Sequence, residues 1–225
     1  MGSAVAVEQI VELPVVGAVM QKGHMQAVDM ILDHGFLRLV YHNFHQIDKN
    51  MYRSNMPTPL RIKNYKLKFG IKTIINLRGE NKDGGWLLEN EVCKSNNIRL
   101  INLTARSRAA PNKDLIFKAE KIFNQIEYPA LLHCKSGADR AGIVSALYKL
   151  LYCNEKPEIA KKQLSLKYLH IKWAKTGILD KFVEEYQTFK SNNKKISFIE
   201  WVKSIYNPKK LEKEFRSNKQ IDKIL

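Results

Sequence analysis

The chain has 225 residues, enough for one well-buried core or one domain with appendages. Its 38 Lys and Arg against 22 Asp and Glu leave +16, which suits polyanionic partners and equally suits a basic, AT-biased proteome. Three cysteines without C-x-x-C or Cys/His metal spacing argue against a disulfide framework and a structural metal site. They point to reduced thiols in a cytosol-like compartment.

Residues 1–39 read as a leader. Its apolar stretch "VAVEQIVELPVVGAVM" is interrupted by Glu8, Glu12 and Pro14 and has no basic segment before it, so it is too short and broken for a membrane span and poor as a signal peptide. "MILDHGFLRLVYHNFHQI" is expected to run from a short helix into a strand. "NMYRSNMPTP" predicts a strand ending in a Pro-bounded turn, and "LRIKNYKLKFG" a helix stopped by Gly70. "IKTIINL" is a short, continuous apolar run, as in a buried strand, and is followed by the polar loop "RGENKDGG". "WLLENEVCKSNN" is a further helix and "IRLINLT" a further strand. Asn112 is placed to cap a helix whose apolar positions Leu115, Ile116, Ala119, Ile122 and Phe123 keep helical spacing. "PALLHC" is the next strand, and the apolar "RAGIVSALYKLLY" a buried helix.

From "KPEIAKKQL" onward the pattern is helical. The alternation predicts an α/β fold with a mostly parallel central sheet flanked by helices and a helical C-terminal part. A domain over residues 40–190 and a helical, basic extension over 191–225, fraying toward its end, complete the expected organisation.

The stretch "HCKSGADRAG", residues 133–142, carries the chemistry. A buried strand delivers Cys134 to the carboxyl edge of the sheet, where open α/β folds bind ligands. Small residues at Gly137, Ala138 and Gly142 let backbone N–H groups from Lys135 through Arg140, Ser136 and Asp139 included, converge on one point at a helix N-terminus. Arg140 adds a planar fork for two phosphate oxygens. The same positive surroundings are expected to favour the Cys134 thiolate, a nucleophile aimed at phosphorus.

His-Cys, five residues, Arg and then an apolar helix resembles the phosphate-binding loop of the cysteine-based protein tyrosine and dual-specificity phosphatases. "YHNFHQIDKNMYRSNMPTP" and "GIKTIINLRGE" resemble the opening strands of compact bacterial dual-specificity-like members, so the resemblance covers roughly residues 40–190. "AKTGILDKFVEEY" and "FIEWVKSIY" resemble the helical ends of an alphaproteobacterial branch. The resemblance implies a dual-specificity-phosphatase-like fold, attack by Cys134, a phosphocysteine intermediate, and no metal or organic cofactor. The sparse, unpaired cysteines point to a cytoplasmic enzyme, and apolar and basic content adds peripheral attachment to the inner membrane as a further reading.

Two departures from the family pattern stand out. The loop where members commonly carry an acid, "TARSRAAPNKD", has none before Asp114. Asp139, beside Arg140, resembles the acid of some bacterial phosphatases of broad lipid and protein specificity. The other reading has it orient Arg140 or cap the helix. Glu80 and Asp83 are outside candidates. Ala141 stands where many members have Ser or Thr to ease release of the cysteine sulfur, so phosphoenzyme hydrolysis is expected to be slow unless Ser136 substitutes.

Lys135, Arg78, Arg106 and Arg108 place extra cations around the expected mouth. They suit phosphorylated lipids or inositols, or phosphoproteins, as substrates. The alternative pairs them with surface acids such as Glu80, Asp83 or Glu89. His133 belongs to the loop signature and is expected to orient the turn; His45 and His170 read as ordinary polar positions. A phosphate-binding adaptor with little turnover is the competing reading, although binding alone needs no thiolate. A nucleic-acid partner ranks last, because aromatic residues are not interleaved with the basic ones. An anionic membrane surface fits the apolar and basic content of the two ends.

Overall fold

The computed structural model describes residues 41–221. The expected α/β architecture is present. Five strands, β1 (His45–Gln46), β2 (Met51–Ser54), β3 (Thr73–Asn76), β4 (Arg99–Asn102) and β5 (Ala130–His133), form one sheet in the order β1-β2-β5-β3-β4. Only β1 is antiparallel; β2, β5, β3 and β4 run parallel, which places β5 at the centre. The four parallel strands are each followed by a helix: α1 (Pro59–Phe69), α2 (Gly84–Ser95), α3 (Lys113–Gln125) and α4 (Asp139–Leu151). Short α5 (Pro157–Lys161), two 3-10 turns, and α6 (Ile178–Asn192), α7 (Phe198–Ser204) and α8 (Pro208–Ile221) complete the described residues.

Alternation along the strands splits the core in two. Tyr52, Leu131 and Ile74 lie in register and face α1 and α2, with Ile62, Tyr65 and Val92. Met51, Leu132 and Ile75 face the other way, onto α3, α4 and the C-terminal helices. In α4 every residue from Ala141 to Leu150 is buried, the polar Ser145 and Lys149 finding partners in Ala141 O and Asp48. Phe198, Trp201, Val202, Tyr206 and Leu211 join the same cluster as Phe182, so α7 and the start of α8 are part of the main core. The basic stretch expected to fray is helical over Pro208–Ile221, because Leu211 is 1% exposed and Glu212 accepts from the Ala110 N–H at 3.1 Å.

One difference among the helices prepares the site. Thr58, Asp83 and Asn112 cap α1, α2 and α3 with side-chain oxygens that accept from Arg61, Trp86 and Leu115 N–H groups. The cap position of α4 is Ala138, which has no side chain to offer. The helix after the central strand therefore presents free amides and the positive end of its dipole at the carboxyl edge of the sheet.

Candidate active site

Cys134 follows β5 directly and shares the face of Leu132, so its side chain is turned toward α4 and is 1% exposed. Gly137 donates its N–H to the Cys134 sulfur at 3.2 Å. It can do so because it holds φ +76, a left-handed conformation that favours glycine. A Cβ there would lie 2.7 Å from the Asn55 nitrogen and the Ser54 carbonyl carbon.

The carbonyls of the loop are held outward, one after another. Lys135 O accepts from Met56 N–H at 3.4 Å, and Ser136 O from Asn43 Nδ2 at 3.0 Å. Gly137 O and Ala138 O both accept from Arg53 Nη2, at 2.8 and 3.0 Å. With four successive carbonyls turned away, the loop N–H groups face the opposite side, Gly137 N–H on the sulfur and Ala138 N–H on the Ser136 hydroxyl. That arrangement is an anion nest continuous with the uncapped end of α4. Arg140, half-buried in the first turn of α4, borders it.

Arg53 is the central brace. It is fully buried in β2, binds Gln163 O and Oε1 through Nη1 at 2.8 and 3.1 Å, and lies 3.9 Å from the Tyr168 ring centroid. Burial pushes its pKa down to about 10, opposed by the nearby Tyr168, Cys134 and Asp139, so it stays charged at neutral pH. Gly142 lets α4 approach this brace: a Cβ there would meet Leu164 at 2.9 Å and the Gln163 carbonyl at 3.0 Å.

Asp139 is held by a group that sequence reading set aside. His170, expected as an ordinary polar position, is 1% exposed and bridges two carboxylates. Its Nδ1 lies 2.8 Å from Asp139 Oδ1 and its Nε2 2.7 Å from Asp180 Oδ2. Burial opposes a charge on His170, but the hydrogen bonds and charges of Asp139 and Asp180 outweigh it and push its pKa up to about 9. His170 is therefore protonated at neutral pH and donates to both carboxylates. Asp180 is 2% exposed, whereas Asp139 keeps a quarter of its side-chain surface open.

The other sequence candidates sit elsewhere. Asp114 is exposed and pairs with Lys118 at 2.9 Å. It lines a separate cleft of about 340 Å³ with Arg106, Thr104 and Asn112, to which no residue of the 133–140 loop contributes. Asp83 accepts from Arg78 and caps α2, so it is committed, and the Arg78 charge is met by a carboxylate. Arg106 and Arg108 are exposed on the loop after β4, on the same sheet edge as Cys134. His133 turns to the other face of the sheet from Cys134, where its Nε2 lies 2.6 Å from Glu89 Oε1 as a close contact rather than an aligned hydrogen bond. Glu89, expected at the surface, is 1% exposed. Ser136 is exposed, and its hydroxyl accepts from Ala138 N–H at 3.4 Å. Among the described residues no cluster of His, Cys, Asp and Glu is arranged to hold a metal ion.

The tyrosine phosphatase family model matches residues 38–155, more than half of the chain and the whole of the sheet and nest. The chain belongs to the tyrosine phosphatase family. No curated protein matches the sequence of this phosphatase. Among solved structures it is similar to the core catalytic domain of the PP-IP phosphatase SIW14 from S. cerevisiae, at 19% identity and TM-score 0.51, covering 68% of this chain and 94% of that one. It is also similar to a DUF442 protein from Shewanella putrefaciens CN-32, at 17% identity and TM-score 0.51, covering 67% of this chain and 96% of that one. At such identities the likeness is one of fold, and the helices beyond residue 155 lie outside the family match.

Proposed function

We propose that this phosphatase hydrolyses phosphate monoesters through a phosphocysteine on Cys134. The observation that carries the reading is the nest: an outward-tied loop with a cysteine sulfur at its centre and Arg140 at its border. In the first step the Cys134 thiolate forms an S–P bond as the P–O bond to the leaving group breaks. The loop amides and Arg140 hold the three equatorial oxygens, whose charge is redistributed in the transition state. In the second step water attacks phosphorus, the S–P bond breaks, and the thiolate returns.

The leaving oxygen needs a proton, and the Asp139–His170 pair supplies it. His170 stores the proton but is wholly buried, so it has no path of its own to a substrate. Asp139 is the outlet. The Nδ1 proton of His170 passes to Asp139 Oδ1, the carboxylic acid so formed protonates the leaving oxygen, and His170 is left neutral, still donating Nε2–H to Asp180. The water of the second step returns the proton.

The substrate class is a phosphorylated protein, lipid or inositol. Exposed Arg106 and Arg108, on the same sheet edge as the nest, favour a substrate with more negative charge than one phosphate. The yeast neighbour, a PP-IP phosphatase, shares the fold that presents such a site.

The test is rapid mixing with p-nitrophenyl phosphate, wild type beside Cys134→Ser, with trapping of the acid-labile phosphoenzyme. A burst followed by slow turnover, absent from the variant, is expected, since Ala141 offers no hydroxyl to the departing sulfur. Turnover that survives Cys134→Ser sinks the cysteine mechanism. Asp139→Asn should slow alkyl phosphates far more than p-nitrophenyl phosphate, whose leaving group needs little help. Equal losses on both would remove Asp139 as the proton outlet.

A further inference from the structure

The segment between Gln163 and Gly177 has two faces. Its inward residues grip the nest: Gln163 binds Arg53, Tyr168 lies beneath the same guanidinium, and His170 holds Asp139. Asn43 ties the two together, donating to Ser136 O at 3.0 Å and to Tyr168 O at 3.1 Å. Its outward residues are apolar and open to water: Leu166 is 61% exposed, Leu169 55%, Ile171 41% and Trp173 73%.

These four fall within eight consecutive residues. The other exposed large apolar side chains, Tyr41, Leu60, Leu67 and Ile205, are spread over other elements. Residues 159–179 also hold five lysines and no Asp or Glu. Lys167, Lys172 and Lys175 are interleaved with the apolar side chains and exposed, Lys172 reaching Glu184 of α6 at 2.9 Å.

We propose that residues 166–175 are a docking strip for an anionic lipid surface, laid along the rim of the Cys134 nest. Leu, Ile and Trp at an interface bury their apolar bodies at headgroup depth while interleaved lysines meet lipid phosphates. Each lysine near an anionic leaflet adds attraction that fades within a Debye length. A second copy of the chain is the poorer occupant, because two proteins of +16 repel. Among the described residues no helix is long and apolar enough to cross a membrane, so the strip would rest on the surface. This inference deepens the proposed function and rests on it for one consequence: a phosphorylated headgroup in the docked bilayer is delivered beside Cys134.

The experiment sediments the full chain with vesicles of phosphatidylcholine, or of phosphatidylcholine mixed with phosphatidylglycerol, at low and high salt. The strip variant is Leu169→Asn with Trp173→Ser; Asn is chosen because Leu169 sits at φ +62. The control is Leu60→Ser with Leu67→Ser, which removes equally exposed apolar side chains from α1. Wild type and control should bind the anionic vesicles, weakly at high salt. The strip variant should lose on the order of tenfold or more in partitioning while its hydrolysis of p-nitrophenyl phosphate is kept. Absence of wild-type binding, or equal binding by the strip variant, overturns the proposal. So does a wild-type dimer in sedimentation velocity that the strip variant abolishes, which would assign the strip to a second copy. Strip-dependent binding by a protein without phosphatase activity would leave the docking strip standing and remove the catalytic reading.

Discussion

Replacing His170 by Gln offers a measurement whose size follows from the site. Folded His170 has a pKa of about 9 and an unfolded histidine one of 6.5. The folded value is raised, so the stabilisation is complete below pH 6.5 and disappears as pH rises through about 9. The full difference corresponds to about 3 kcal/mol. Two hydrogen-bonded carboxylates on a histidine without solvent exposure supply it. Urea unfolding of wild type and His170→Gln should be followed from pH 6 to pH 10. The variant is less stable below about pH 9, because Gln leaves buried Asp180 short of the counter-charge that protonated His170 supplies. The wild-type advantage should narrow by about 3 kcal/mol between pH 6.5 and pH 9.5. Taking the difference removes groups common to both proteins, such as Cys153, whose thiol is pushed up to about 11 by burial. If His170→Gln does not fold, the wild-type imidazole can be titrated by NMR. A midpoint at or below 6.5, or a stability gap that does not change with pH, would refute the bridging charge and with it the proton store.

Gly137→Ala should cost about 1–2 kcal/mol for a left-handed alanine, plus the displacement of Ser54 and Asn55, and should abolish binding of vanadate in an equilibrium titration. Arg53→Met should lower stability by about 3–5 kcal/mol in urea, because the carbonyls of Gly137, Ala138 and Gln163 are left unpaired in the interior. It should also lower kcat on p-nitrophenyl phosphate by at least about tenfold as the nest loosens. Asp114→Asn should leave kcat within about twofold on both alkyl and aryl phosphates, since Asp114 is exposed and held by Lys118; a loss confined to alkyl phosphates would move the proton outlet to Asp114.

The legible part of this protein is its contiguous part. Strand β5, Cys134, the glycine turn and α4 follow one another within twenty-two residues, and every piece has a local cause: an apolar run, a small-residue turn, a strongly apolar helix. The caps at Thr58, Asp83 and Asn112 are local too, and of these Asn112 was anticipated. The braces are of another kind. Arg53 reaches across 84 residues to Gly137, Asn43 across 93 to Ser136, and His170 across 31 to Asp139. No spacing in one sequence encodes such a pairing. The available signal was weaker: Arg53 is a charge inside a four-residue strand whose neighbours are buried, a position that needs a specific partner. His170 and Asp180 had no such mark, since both lie in a stretch that reads as ordinary helix and loop.

The braces explain how a loop of small residues can serve as a catalytic surface. Glycine and alanine offer many backbone conformations and no side chains to select among them. Here the selection is made from outside, by Arg53, Asn43 and Met56 N–H acting on the carbonyls. Fixing the carbonyl side fixes the amide side, so the donors stand in place before the phosphate arrives and reorganise little as charge shifts in the transition state. Charge is arranged by the same economy of position. Arg53 is near enough to Cys134 and Asp139 to interact with both, yet both its Nη atoms are committed to Gln163, Gly137 and Ala138. It therefore adds positive potential behind the loop without competing with Arg140 for the substrate's oxygens. Arg140 does not share those hydrogen bonds to loop carbonyls and borders the nest from the first turn of α4. In the proposed reaction the two arginines thus divide the work: one holds the loop from behind, and the other would meet the phosphate.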